Sequence, residues 1–348
     1  MTPIARGVLL AAVSAITFGL TAPVIEVAGE GLGPLTIAAL LYAGALGLST
    51  CARPFVAKSG VALGRANVPR LLLVAFSGAM VAPTLLAWGI ARAGATASSL
   101  VLNFEAVLTV LLAAALYREP IGRRVGLAIV AMLAGGAMVA ASSSSDAQRG
   151  ELLGLLAVVG ATAGWALDST LTRGLSEIDP FEVVTAKAGL GAAVTAAAAW
   201  AFGEPMPAAW QLAALLACGA TGYGLSLRLY LLAQRRIGAA RTASVFATGP
   251  FVGAVAGMLA GGSRGGLAML VGGLAFGAGA WLHITERHRH RHLHRALEHE
   301  HEHRHDDGHH DHVHEPPVVG AHTHGHRHDA LEHDHAHAPD LHHDHEHA

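Results

Sequence analysis

The chain has 348 residues, of which 52% are hydrophobic and only 14% charged. A soluble domain carries about 25% charged residues, so this composition excludes an ordinary water-soluble globular protein, and no nucleic-acid partner is expected. The net charge of −2 hides a division: 17 Lys and Arg stand against 11 Asp and Glu up to Thr285, whereas 6 stand against 14 beyond it, together with 23 of the 24 histidines.

Ten apolar stretches follow one another, at roughly 7–28, 35–52, 71–91, 97–117, 125–142, 152–171, 183–202, 211–233, 242–260 and 267–285. Each is near the length of about 20 residues that crosses a bilayer core as a helix. The first resembles a signal peptide only in having Arg6 ahead of an apolar run. It is too long, carries Pro23 and Glu26, and is followed by further spans, so it is expected to stay in the protein. Turn and helix-start chemistry separates several spans, as at Gly33-Pro34, Asp179-Pro180 and Glu204-Pro205. Cys51 and Cys218 each lie inside an apolar run and imply no disulfide framework. With the amino terminus in the cytoplasm, 16 Lys and Arg fall in the inner segments and 3 (Arg92, Arg149 and Arg264) in the outer ones. The positive-inside rule therefore predicts that both termini are cytoplasmic and that the number of spans is even. The expected location is the inner (plasma) membrane of the cell.

The stretch 94–120 stands out because it carries Asn103 and Glu105 within a span and ends at Arg118-Glu119-Pro120. Glu105 lies seven or eight residues in, roughly 10–12 Å deep at 1.5 Å per residue. A carboxyl at that depth is expensive and reads as a functional group facing the protein interior. It suits binding and releasing a proton or a cationic group; the plainer alternative is a packing carboxyl bonded to Asn103 or to a carbonyl. Asp168 and Lys187, near the cytoplasmic ends of spans six and seven, are candidates for an ion pair closing the inner mouth or for meeting a charged solute, against plain snorkelling. Arg228 in span eight is a candidate for an anionic group, and Trp165 and Tyr230 are the aromatics expected to line a cavity. Glu26 and Arg92 at the outer ends of spans one and three are more simply interfacial. Gly253, Gly257 and Gly261, spaced by four, predict close helix packing within the bundle.

A weak echo of 94–120 returns at 237–262. Gly94-Ala95 aligns with Gly238-Ala239 at an offset of 144, and Gly33-Pro34 with Asp179-Pro180 at 146. Five spans per copy is an odd number, so the second copy enters the membrane from the opposite side, a plan common among secondary transporters. The expected fold is therefore an all-α polytopic membrane protein. Its ten transmembrane helices form two inverted five-helix repeats, 1–142 and 143–285, and a disordered His-rich tail follows at 286–348.

At these residues the chain resembles a known family. The A-x-x-F-G run at Ala15–Gly19, the Ala93-Gly94-Ala95 start of span four, its Glu105 and the Arg118-Glu119-Pro120 ending are similar to the EamA family of the drug/metabolite transporter superfamily. The resemblance covers about 7–285. It implies two inverted five-helix bundles with spans 1–4 and 6–9 around a central cavity and spans 5 and 10 peripheral. It also implies transport of metabolites, amino acids or drugs, often by exchange or proton coupling. Two departures are visible. The family's mid-span Glu-Pro is here Glu105-Ala106, with the proline kept as Gly249-Pro250 in the second copy, and the counterpart of Glu119 is Ser263.

The tail carries His288-x-His290-x-His292-x-His294 and His299-x-His301-x-His303-x-His305, then looser clusters to His347. Alternate residues share a side of an extended chain, and imidazole suits Zn, Ni, Cu and Co. The tail is expected to bind such ions loosely, without the fixed Cys/His spacing of a folded zinc site. Its histidines, with ordinary pKa values near 6.5, also make its charge strongly pH-dependent. Two functions follow. One is a secondary transporter of small organic solutes, an exporter by preference, with a metal-sensing tail. The other is a transition-metal transporter whose tail collects the ion, against which stands the absence of histidine from the first nine spans. No phosphate-binding loop or nucleophile–base set is present, so no enzyme is expected, and no cofactor is required. A monomer or a homodimer would serve.

Overall fold

A computed structural model describes residues 3–55, 63–117, 122–141, 148–172, 175, 178–237, 242, 245–260 and 266–284, and four tail segments. Residues 1–286 form one unit and 287–348 a second.

Helix lies in every one of the ten apolar stretches. In chain order these are α1 (Pro3–Gly19), α2 (Thr21–Ala28), α3 (Pro34–Ala52), α4 (Val68–Ala75), α5 (Ala82–Val101), α6 (Phe104–Tyr117), α7 (Arg123–Ala141), α8 (Gln148–Thr172), α9 (Pro180–Ala201), α10 (Ala209–Cys218), α11 (Ser226–Ile237), α12 (Gly249–Leu259) and α13 (Leu267–Ile284). Among the described residues, six helical stretches are long and apolar enough to cross a membrane: Ala5–Ala28, Pro34–Phe55, Arg65–Val101, Arg149–Thr172, Phe181–Ala201 and Ala209–Tyr230. Helices fit this setting because each satisfies its own backbone polar groups without water.

The helices are interrupted at matching places in the two copies. A π-helical turn, Phe76–Val81, separates α4 from α5, and another, Gly219–Leu225, separates α10 from α11. Span four was expected to run unbroken through 97–117, but it breaks at Leu102-Asn103. The reason is local: Asn103 Nδ2 donates to the Leu100 carbonyl at 2.9 Å, and the Asn103 amide donates to the same oxygen at 3.2 Å. Such side-chain bonds compete with the helical ladder. In the second copy Thr248 does the same, its hydroxyl donating to the Val245 carbonyl at 2.7 Å just before α12. Gly94 joins spans three and four with no further loop. Its φ of 75° and ψ of 161° turn the chain in one residue, a conformation open to glycine alone.

Span two (α3) and span seven (α9) pack side by side, and their ends show that they run antiparallel. Just after α9, the Glu204 carboxylate accepts the backbone N–H groups of Leu35 and Thr36, at 3.2 and 2.7 Å, and the Thr36 hydroxyl at 2.8 Å, capping the start of α3. At the other end, Arg53, which follows α3, donates to Asp179 at 3.0 Å, the residue that caps the start of α9 through the Phe181 N–H. The copies interleave elsewhere too: α1 packs on α11 and α12, α5 on α8 and α12, α6 on α8, and α7 on α13. Small residues allow the closest crossings. A methyl group at Gly253 would lie 2.7 Å from the Ser99 hydroxyl, and one at Gly257 would lie 2.9 Å from that of Thr96. This places both glycines on the contact between spans nine and four, as expected; Gly261 lies outside the described residues.

In the tail, where disorder was expected, the backbone forms β1 (His288–His294), β2 (Leu297–His303), β3 (His322–His328) and β4 (Leu331–His337), with β1 paired antiparallel to β4 and β2 to β3. The strict alternation of the sequence is itself a strand period.

Candidate functional site

The break at Leu102-Asn103 starts a new helix, so Glu105 sits in the first turn of α6, at the positive end of its dipole. It is half-buried, and its carboxylate makes no hydrogen bond or ion pair among the described residues. It lies within electrostatic reach of Asp168 and Lys187, as the packing of α6 along α8 requires. The structure thus brings together three charged residues that lie 63 and 19 positions apart in the sequence.

Asp168 on α8 and Lys187 on α9 form a direct ion pair, with 10% and 18% of their side chains exposed. Thr172 donates to the other carboxylate oxygen at 3.4 Å. Asp168 rests on the π-helical turn of span three: a methyl group at Gly78 would lie 2.3 Å from the Asp168 Oδ2 atom. The Gly78 carbonyl accepts two side chains, Tyr42 Oη at 2.6 Å and Trp165 Nε1 at 3.0 Å. One backbone oxygen therefore fixes two rings from different copies beside the ion pair.

The rings extend from there. Phe18, Trp165 and Tyr223 form a triangle with centroids 6.3, 6.3 and 6.4 Å apart. Tyr42 stands 5.5 Å from Tyr223, and Phe246 stands 5.3 Å from Phe18 and 5.1 Å from Tyr230. The Tyr223 hydroxyl is buried with no partner among the described residues. Trp165 is thus central and Tyr230 joins the cluster at its edge through Phe246. Arg228 is half-buried on α11 and makes no ion pair among the described residues. Asn103 is buried and spends its amide on the helix break. Arg92 stacks on Trp88, its guanidinium carbon 3.5 Å from the ring centroid, and Glu26 lies against Gly94. Arg118, Glu119, Pro120 and Ser263 lie outside the described residues.

The second copy holds a comparable arrangement. Gly222 in the second π-helical turn is 144 residues after Gly78, and a methyl group there would lie 2.1 Å from Thr21 Cγ2. Thr21 thus stands against Gly222 as Asp168 stands against Gly78, and in place of the acid it offers a neutral hydroxyl that donates to the Phe18 carbonyl of the preceding helix at 2.6 Å. Charge is concentrated at one of two equivalent positions. Sequence reasoning missed Phe18, Gly78, Tyr223 and Phe246 as site residues. The repeat offset, which sets Gly78 against Gly222 beside Tyr223, was the available signal.

Among the residues whose side chains are described, no three His, Cys, Asp or Glu converge as a metal site. The side chains of the metal candidates His288, His290, His292, His294, His299, His301 and His303, and the whole of His305, lie outside the described residues.

The EamA-like transporter family model matches this chain twice, over residues 5–141 and 152–285. The chain belongs to the EamA-like transporter family. With its apolar helices, this makes it an integral membrane protein of a transporter family, built from two copies of one unit. Among solved structures, one titled only "Crystal structure of protein" aligns with a TM-score of 0.57 at 18% identity, covering 79% of this chain and 96% of that one; it bears on the fold alone. A search of curated proteins gives no match.

Proposed function

We propose that this EamA-like protein is a secondary transporter that moves a small organic solute, by preference outward, by alternating access between two five-span copies threaded in opposite senses. The antiparallel run of α3 and α9, which occupy equivalent places in the two copies, supports the opposed threading. Helix in all ten apolar stretches supports ten crossings. The loop charges, 16 against 3, support cytoplasmic termini in the cell's inner membrane. Coupling to a proton or to a counter-solute suits a site built on a carboxyl.

The observation that carries the reading is Glu105: an interior carboxylate with no hydrogen bond or ion pair among the described residues, within electrostatic reach of the Asp168–Lys187 pair. Interior acids of this kind mark solute and proton paths. Proteoliposomes with an imposed pH gradient, offered a mixed metabolite panel, test it. Glu105→Gln should lower the flux of the transported solute at least about tenfold, since one neutralised group commonly costs more than 1.4 kcal/mol. Undiminished flux in that variant removes Glu105 from the site.

A second role belongs to the tail. We propose that it binds Zn, Ni or Co in the cytoplasm as a buffer or sensor beside organic transport. Its alternating histidines support this, as do six register positions that set histidine against histidine, among them His290 with His335 and His301 with His324. A metal cargo is the weaker alternative, because the described interior offers acids but no histidine.

A further inference from the structure

The strand pairing of the tail is more specific than its composition. In β1 against β4, and in β2 against β3, histidine stands opposite histidine at three positions each: from His288–His337 to His292–His333, and from His299–His326 to His303–His322. These positions are two residues apart, and alternate residues of a strand share one face. Each ladder therefore has one face with three facing histidine pairs. The intervening positions match in charge. Arg291 stands opposite Asp334 and Glu298 opposite Arg327, and at none of the described positions does acid oppose acid or arginine oppose arginine. Opposed charges of this kind favour a register. The ladders also share a register, since His299 and His326 lie eleven positions inward of His288 and His337. The pairing nevertheless has little to hold it together. Leu293, Leu297 and Leu331 are the only large apolar residues in the four strands. A two-stranded ribbon is at best marginally stable in water, and bringing β2 to β3 closes a loop over residues 304–321, which costs chain entropy.

We infer that a divalent ion of the zinc class is the missing staple: each ladder holds one ion between its strands, on four histidines from two neighbouring facing pairs, and binding the ion closes the tail. This rests on the reading of the tail as a metal binder and adds where the ions sit and what they do. Facing Cα atoms in an antiparallel pair are about 4.5–5.5 Å apart, and neighbouring facing pairs are about 7 Å apart along the strand. Four imidazoles at the corners of that rectangle satisfy the four-ligand preference of zinc. The end pairs of one ladder are about 14 Å apart, too far to share an ion, so every such site includes the middle pair. The middle pairs are His290–His335 and His301–His324. Histidines on a single strand would hold an ion without joining β1 to β4, and the matched charges on the intervening positions would then serve nothing. Because the ion binds the paired form, its binding free energy becomes folding free energy for the ribbon. The tail thereby converts a metal concentration into a change of shape.

The test uses the full chain purified in detergent and titrated with zinc by calorimetry. Two ions should bind about tenfold or more tighter than any others. His290→Asn with His335→Asn should leave one tight ion, as should His301→Asn with His324→Asn. His309→Asn with His310→Asn, the same loss of histidine outside the strands, should leave two. Ending the chain after Gly320 keeps β1 and β2 whole but removes β3 and β4, and should abolish both. Closure is read separately with spin labels on Leu293→Cys and Glu332→Cys, which face each other in the ladder, in a chain carrying Cys51→Ser and Cys218→Ser. Zinc should bring strong dipolar broadening, since facing Cα atoms are about 5 Å apart, and a chelator should remove it. Tight ions that survive the truncation, a control pair as costly as a middle pair, or labels that zinc does not bring together overturn the inference while leaving the tail a metal binder. Equal zinc uptake by the full chain and by a form lacking 287–348 removes the tail reading itself.

Discussion

Replacing Asp168 by Asn keeps the side chain's shape but removes its charge, and Lys187 is left inside the bundle with 18% of its side chain exposed. Breaking a buried pair from one side costs about 3–5 kcal/mol, because the remaining charge has lost both water and partner. At roughly 2–4 °C per kcal/mol in a chain of about this size, melting in detergent should fall by about 6–20 °C. Removing both charges, with Asp168→Asn and Lys187→Gln together, should recover most of the loss, since a neutral pair has no stranded ion. Glu105 is the other carboxylate within reach of Lys187, so it should shelter the single variant in part. Asp168→Asn combined with Glu105→Gln should then melt lower than the two separate losses add to, the signature of coupled neighbours. Thermal melting followed by tryptophan fluorescence across the five proteins decides the matter. If Asp168→Asn melts within about 2 °C of the parent, or the double charge-removal variant melts as low as the single one, the pair is not the buried contact described.

Gly222→Ala should destabilise by about 1–3 kcal/mol, the usual cost of overpacking, because its methyl would meet Thr21 Cγ2 at 2.1 Å. Thr21→Ser, which deletes that carbon and keeps the hydroxyl, should restore melting, and failure of the rescue would show that the clash lies elsewhere. Glu204→Gln should cost about 1 kcal/mol by weakening the cap on α3, read as faster hydrogen exchange at Leu35 and Thr36; unchanged exchange there would refute the cap. Deleting 287–348 should abolish most zinc binding measured by calorimetry while leaving the melting of residues 1–286 unchanged, and equal zinc uptake by both forms would place the metal elsewhere.

The amino-acid sequence by itself determined the membrane setting, the family and the positions of the apolar helices, and it singled out Glu105 as a candidate. Hydropathy and charge are properties of short windows: twenty apolar residues need no distant partner to favour a bilayer, and a carboxyl within them is conspicuous at once. It also gave Asp168 and Lys187 as a candidate pair, since few charges lie in the spans. What only the tertiary structure decided is which of these groups meet. Glu105 comes within electrostatic reach of Asp168 because α6 packs along α8. Tyr42 and Trp165 share one carbonyl because the π-helical turn at Gly78 lies between them, and such a turn leaves no mark in composition. Phe18 and Tyr223 read as ordinary span residues until two copies interleave and set them face to edge. The asymmetry between Asp168 and Thr21 appears only once each is found against its own glycine turn, at Gly78 and at Gly222. Contacts between helices depend on rotation and depth, which differ little in energy along a uniformly apolar helix. They are fixed by close fits at particular small residues, and those fits exist only when both helices are in place.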